Sequence, residues 1–173
     1  MDLKMEIKVL LTSFDIWKPE QKSNSSDDLL ALISSQELTD YCLNFIRKLP
    51  VDSQIAPEIV ISQIEKFQPD IIVCCGMAEK REILTIESQA NSGSKVIKTS
   101  VDLSNLVLGL DGIKISNDAG KFVCEDLYYS VLKYLDEGCL KSKCIFVHVP
   151  ILIAVNRDII MGNFLKILSK ISY

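Results

Sequence analysis

The chain has one histidine, His148, so any imidazole chemistry must pass through it. Nucleophilic catalysis needs a nucleophile, a base within hydrogen-bond reach and a group that orients the base. His148 lies in Ile145-Phe146-Val147-His148-Val149-Pro150, at the end of an apolar run. Cys124 follows a glycine turn, in Asp118-Ala119-Gly120-Lys121-Phe122-Val123-Cys124, where a helix begins. A helix N-terminus favours a thiolate, a neighbouring imidazolium favours it further, and free amide N–H groups in the same turn can hold an oxyanion. Glu87 ends Ile83-Leu84-Thr85-Ile86-Glu87, and a strand-end carboxylate can orient an imidazole by accepting its second N–H.

Each residue also has a plainer reading. His148 can be a core histidine satisfied by a backbone carbonyl, Cys124 a small hydrophobe at a helix start, and Glu87 a solvated strand end. The residues alone leave both readings open. The other five cysteines, Cys42, Cys74, Cys75, Cys139 and Cys144, read as small buried hydrophobes. Nothing in the sequence asks for a disulfide framework or supplies zinc-ligand spacing, and no glycine-rich phosphate loop is present.

The elements that must position these side chains alternate along the chain. Buried strands are expected at Ile7–Thr12, Leu43–Val51, Ile71–Cys75, Ile83–Ile86, Gly112–Ile115 and Cys144–Val149. Between them, helical spacing is expected around Leu29–Ile33, capped by Ser26 or Asp27, and over Ala56–Phe67, Leu103–Leu110, Phe122–Leu135 and Asp158–Ile171. Lys18–Asp28 and Ser88–Ser100 read as loops, the second with a short strand at Lys95–Lys98. This pattern predicts an α/β fold: one three-layer α/β/α domain over residues 1–173, with a largely parallel, mixed central sheet. In such sheets ligands sit beyond the carboxyl ends of the strands.

With 48% hydrophobic and 24% charged residues, the chain can bury a core. A net charge of −4 and the lack of a basic cluster argue against a nucleic-acid partner. No apolar run reaches membrane-span length, and the opening stretch Met1–Phe14 is too short in apolar residues for a secretory leader. A cytoplasmic location is expected, with no membrane partner.

At three segments the sequence resembles the pyroglutamyl peptidase I family of cysteine peptidases, whose fold is phosphorylase/hydrolase-like. Ser116-Asn117-Asp118-Ala119-Gly120-Lys121-Phe122-Val123-Cys124 is similar to its nucleophile segment, a Ser-x-x-Ala-Gly-x-aromatic-aliphatic-Cys pattern. Phe146–Pro150 is similar to its histidine segment. Gly76-Met77-Ala78, Arg81 and Leu84–Glu87 are similar to its glutamate segment. The resemblance runs from the opening strand to the histidine, in the order Glu, Cys, His.

What the resemblance implies is removal of N-terminal pyroglutamyl residues from peptides through a Cys124–His148–Glu87 triad and an acyl-enzyme. Phe14 and Trp17 would line the lactam pocket, and Met77 and Arg81 would contact substrate or oxyanion. It implies no metal or cofactor; the partners are a peptide or small amide substrate, with a homo-oligomer left open.

The chain also departs from the family pattern. Ser13 stands for a glycine, Ile16-Trp17-Lys18 for Pro-Phe-Gly, Glu79 and Lys80 for small residues, Ser88 for an arginine, and Glu125 for Asn or Asp. The Glu87–Cys124 interval and the stretch after Pro150 are short. Two other readings therefore stand beside the first: a hydrolase of the same fold with another amide substrate, and an inactive binding protein of this fold.

Overall fold

The structure, a computed structural model, describes residues 6–173. The expectation about a leader falls partly on residues 1–5, outside the described residues. The elements run β1 (Ile7–Phe14), α1 (Ser25–Ser34), β2 (Tyr41–Leu49), α2 (Ile55–Phe67), β3 (Ile71–Met77), β4 (Leu84–Glu87), β5 (Gln89–Ser92), β6 (Lys95–Lys98), α3 (Leu103–Val107), β7 (Ile113–Ser116), α4 (Val123–Glu137), β8 (Lys143–Val149) and α5 (Arg157–Ile171).

Six strands form one mixed sheet in the order β2-β1-β3-β8-β4-β7. β2, β1, β3 and β8 are parallel, while β4 runs antiparallel to β8 and carries β7 parallel to itself. The continuous apolar runs of β1, β3 and β8 follow from this placement, since both faces of a central strand are covered. On one face Val9, Leu11, Val73, Ile145 and Val147 pack with apolar residues of α1, α3 and α5. On the other, Leu10, Ile72, Cys74 and Phe146 pack with those of α2 and α4. The α/β/α layering expected from the alternation is present.

Local signals account for the ends of the elements. α1 begins one turn earlier than its apolar residues suggest, because Asn24, not Ser26 or Asp27, caps it by accepting from the Ser26 N–H. Asp27 is buried instead and binds Arg47 through both oxygens, at 2.8 and 2.9 Å. The polar segment after Glu87 is a β5–β6 hairpin turning at Gly93, whose φ of 60° suits glycine. Its first strand has no sequence signature, and Glu125 holds it by accepting from both the backbone N–H and the side-chain amide of Asn91. Among the other five cysteines, Cys74, Cys75 and Cys144 are buried as expected, whereas Cys42 is half-buried and Cys139 is exposed; all six are free thiols.

Candidate active site

Strand register builds the site. Thr12 pairs with Cys74, Cys74 with Phe146, Phe146 with Glu87 and Glu87 with Ser116, giving one continuous cross-strand row. One step along, Gly76 pairs with His148 and His148 with Thr85. Paired residues share a face, as do residues two apart on one strand. Glu87, Phe146, His148 and Gly76 therefore all face α4. The reversal of β4 matters here: its carboxyl end points back along β8, so Glu87 lies diagonally beside His148. The carboxyl-end rule thus locates Gly76 and His148, while Glu87 reaches the site from an antiparallel strand.

His148 Nδ1 is 2.7 Å from Glu87 Oε1, and both side chains are buried. The Phe146 ring stacks obliquely beside the imidazole, with centroids 4.9 Å apart. Arg81 donates from Nη1 to the same Glu87 oxygen and from Nη2 to the Asp118 carbonyl at 3.0 Å. The Tyr128 hydroxyl on α4 donates to the Glu87 carbonyl at 2.9 Å. Burial works to raise the Glu87 carboxyl pKa, but His148, Ser116 and Arg81 outweigh it and hold the group below its ordinary range. Glu87 Oε2 has no hydrogen-bond partner among the described residues, and the nearby Ser116 hydroxyl donates to the Asp118 carbonyl and accepts from the Asp118 N–H. Glu87 is a buried carboxylate held between Arg81 and His148.

Cys124 is the second residue of α4, after Phe122 at the N-cap position. Its sulfur rests against Gly76, where a Cβ would lie only 2.6 Å away. An isolated glycine inside a strand signals close approach of another group, and that signal marks Gly76, a site residue the sequence reading did not assign a role. The expectation of a lowered thiol pKa at the helix start is not met. Burial, with Cys74 and Glu87 nearby, pushes the Cys124 thiol up to about 12, against the weaker pull of its own amide and Arg81. At neutral pH Cys124 is therefore a neutral thiol.

Cys124 and His148 open into the same cleft, of about 710 Å³. Phe14, Trp17, Met77 and Arg81 line it too, while Glu87 lies fully buried beside His148. Their situations differ. Phe14 is only 2% exposed, whereas Trp17 is 44% exposed at the mouth. The Met77 sulfur accepts from the Ser25 N–H at 3.4 Å, which ties the end of β3 to the start of α1. Arg81, expected to contact substrate or oxyanion, lines the cleft and donates to Glu87 and to the Asp118 carbonyl. Two departures from the family pattern meet at the mouth, where Lys18 pairs with Glu79 at 3.5 Å and Gln21 donates to Glu79 at 2.9 Å.

Known proteins share this arrangement of elements. A family model described as pyroglutamyl peptidase matches residues 103–162, a span that holds Cys124 and His148. A pyrrolidone-carboxylate peptidase of Streptococcus pyogenes serotype M3 is 28% identical, over 83% of this chain and 78% of the relative. Among solved structures, pyroglutamyl peptidase I from Bacillus amyloliquefaciens superposes with a TM-score of 0.83 at 21% identity, covering 96% of this chain and 95% of the other. Pyrrolidone carboxyl peptidase from Thermococcus litoralis gives 0.81 at 15% identity, covering 95% and 92%. Over most of its 173 residues, the chain is thus similar in sequence to pyrrolidone-carboxylate peptidases and in fold to pyroglutamyl peptidase I.

Proposed function

We propose that this chain removes N-terminal pyroglutamyl residues from peptides, with Cys124 as nucleophile, His148 as general base and acid, and Glu87 as the group that orients His148. The observation that carries this reading is one cleft holding both Cys124 and a histidine whose Nδ1 is fixed on a buried carboxylate. With Nδ1 occupied, Nε2 is the nitrogen left to exchange protons.

The Cys124 thiol is neutral at rest, so its proton passes to His148 as sulfur attacks the carbonyl carbon. The carbonyl oxygen becomes an oxyanion, for which amide N–H groups at the start of α4 are the natural donors. The carbon–nitrogen bond then breaks, His148 returns the proton to the leaving amine, and a thioester remains. Water activated by His148 hydrolyses it and restores the thiol. Glu87 stabilises the imidazolium formed twice in each cycle.

The test is hydrolysis of a pyroglutamyl fluorogenic amide by the wild type and by Cys124→Ala. Turnover by the wild type that vanishes in the variant supports the proposal; turnover that persists in the variant refutes Cys124 as nucleophile. A second reading, the same chemistry on another amide substrate, is favoured by the Lys18–Glu79 pair and the Trp17 indole at the mouth. A wild type inert toward the pyroglutamyl amide, yet active on other N-terminal amides through Cys124, would establish that second reading.

A further inference from the structure

We infer that Trp17, Val51 and Phe122 form a subsite for a large apolar side chain on the residue immediately after the scissile bond. This rests on the pyroglutamyl reading for one step only. A pyroglutamyl group ends in its own lactam ring, so no chain precedes it, and whatever extends out of the cleft belongs to the leaving peptide.

All three residues line the cleft that holds Cys124, and all three are solvent-exposed: Trp17 by 44%, Val51 by 39% and Phe122 by 79%. Single exposed apolar residues are ordinary, but three lining one cleft present apolar surface that gains free energy when covered. The backbone that carries each is anchored by a separate device. Gln21 Oε1 accepts from the backbone N–H groups of Trp17 and Lys18 at 3.1 and 3.3 Å, and its amide donates to Glu79. The Lys18 ammonium stands 5.6 Å from the indole centroid, so the strap that anchors the loop also braces the ring. The Val51 loop is tied to α4 by the Ser53 hydroxyl donating to Asp126. Phe122 precedes the helix, with its carbonyl accepting from Glu125 N–H at 2.9 Å.

Phe14, nearly fully buried, belongs to the inner part of the cleft. The more exposed Trp17 falls on the leaving-group side under this proposal, whereas the family resemblance implies the lactam pocket for it. The charged groups at the mouth do not offer a competing determinant of equal definition. Lys18 is paired with Glu79 and Arg81 with Glu87, which leaves Lys80 and Lys121 as exposed ammonium groups.

The experiment uses thiol probes that mimic the leaving-group side without needing turnover: N-iodoacetyl-phenylalaninamide, N-iodoacetyl-glycinamide and N-iodoacetyl-aspartamide. Sulfur displaces iodide, the thiol proton is lost to base, and mass spectrometry follows Cys124 alone, with each rate divided by that of glutathione. The wild type is expected to favour the phenylalanine probe over the glycine probe about tenfold. The Trp17→Ala/Phe122→Ala double variant is expected to bring that ratio below about twofold. Val155→Ala, an equally exposed position outside the cleft, should keep it. Equal wild-type rates, a fastest aspartate probe, or a ratio that survives in the double variant would overturn the subsite. Failure of the pyroglutamyl reading is distinguishable, since it appears as absent hydrolysis of the pyroglutamyl amide with the probe ratio intact.

Discussion

The sulfur of Cys124 occupies the space that a side chain on Gly76 would need. A Cβ at Gly76 would lie 2.6 Å from Sγ and 2.9 Å from Phe146 Cζ, and Gly76 is also the register partner of His148. One glycine therefore seats the Cys124 sulfur against the same strand pair that carries His148. Its torsions are not in the left-handed region, so the need for glycine at this point is spatial.

Gly76→Ala is expected to fold, because the backbone tolerates alanine there, but with the sulfur or the Phe146 ring displaced. Overpacking of this kind costs about 1–3 kcal/mol, readable as a lowered melting temperature. Misplacing the nucleophile by about an ångström lowers kcat/KM by about a hundredfold. Wild-type kcat/KM in the alanine variant would show that Cys124 does not work from this position.

Arg81 separates two roles that the sequence could not. If it binds substrate, Arg81→Met raises KM and leaves kcat alone. If it positions Glu87, as its hydrogen bonds to Glu87 and to the Asp118 carbonyl indicate, the variant lowers kcat. It should also move the acid limb of the activity profile to higher pH. The sign follows from Glu87: burial raises its pKa while His148, Ser116 and Arg81 lower it, so losing the guanidinium lets it rise. The pH profile of kcat for wild type and variant decides the matter.

Cys124 supplies a test of its resting state. With its thiol pushed up to about 12, the thiolate fraction in the free protein grows about tenfold per pH unit through the neutral range. Alkylation by iodoacetamide, followed at Cys124 alone, is expected to climb steadily from pH 6 to 9. A preformed thiolate–imidazolium pair would instead give a rate nearly flat across that interval, and such a plateau would contradict the neutral-thiol resting state.

The residues legible in the sequence were those whose burial leaves a pattern. β1, β3 and β8 carry continuous apolar runs because helices cover both faces, and α4 and α5 carry helical periodicity on one side. Strand direction leaves no such trace. Nothing in Leu84–Glu87 says that it runs against β8, yet that reversal is what brings Glu87 beside His148. β5 was illegible for a different reason: Gln89-Ala90-Asn91-Ser92 has one apolar residue, and its place depends on Glu125, which is distant in sequence. Arg81 stands out in the sequence as a substrate or oxyanion candidate, but its bonds to Glu87 and the Asp118 carbonyl depend on tertiary packing that the sequence does not spell out.

The Asp27–Arg47 pair offers a stability test away from the nucleophile that still bears on the cleft. Asp27 Oδ1 also accepts from the Ser13 hydroxyl at 2.8 Å, and Ser13 in turn accepts from the Lys48 N–H. Lys48 sits at φ 57°, in the bulge where the β1–β2 register shifts between Thr12 and Phe14. The network thus fixes the end of β1 from which Phe14 enters the cleft. Burial raises the Asp27 pKa, but Arg47 and Ser13 lower it further, so the folded value lies below the ordinary one of about 3.9. A carboxylate depressed on folding contributes stability above its unfolded pKa and loses that contribution as pH falls through the folded value. Asp27→Asn should therefore cost about 1.5–3 kcal/mol at pH 7, with the gap to wild type closing below about pH 4. Denaturant melts at pH 7, 5 and 3 measure it; a gap that is constant across the three would show that the charge of Asp27 contributes nothing to holding this end of the sheet.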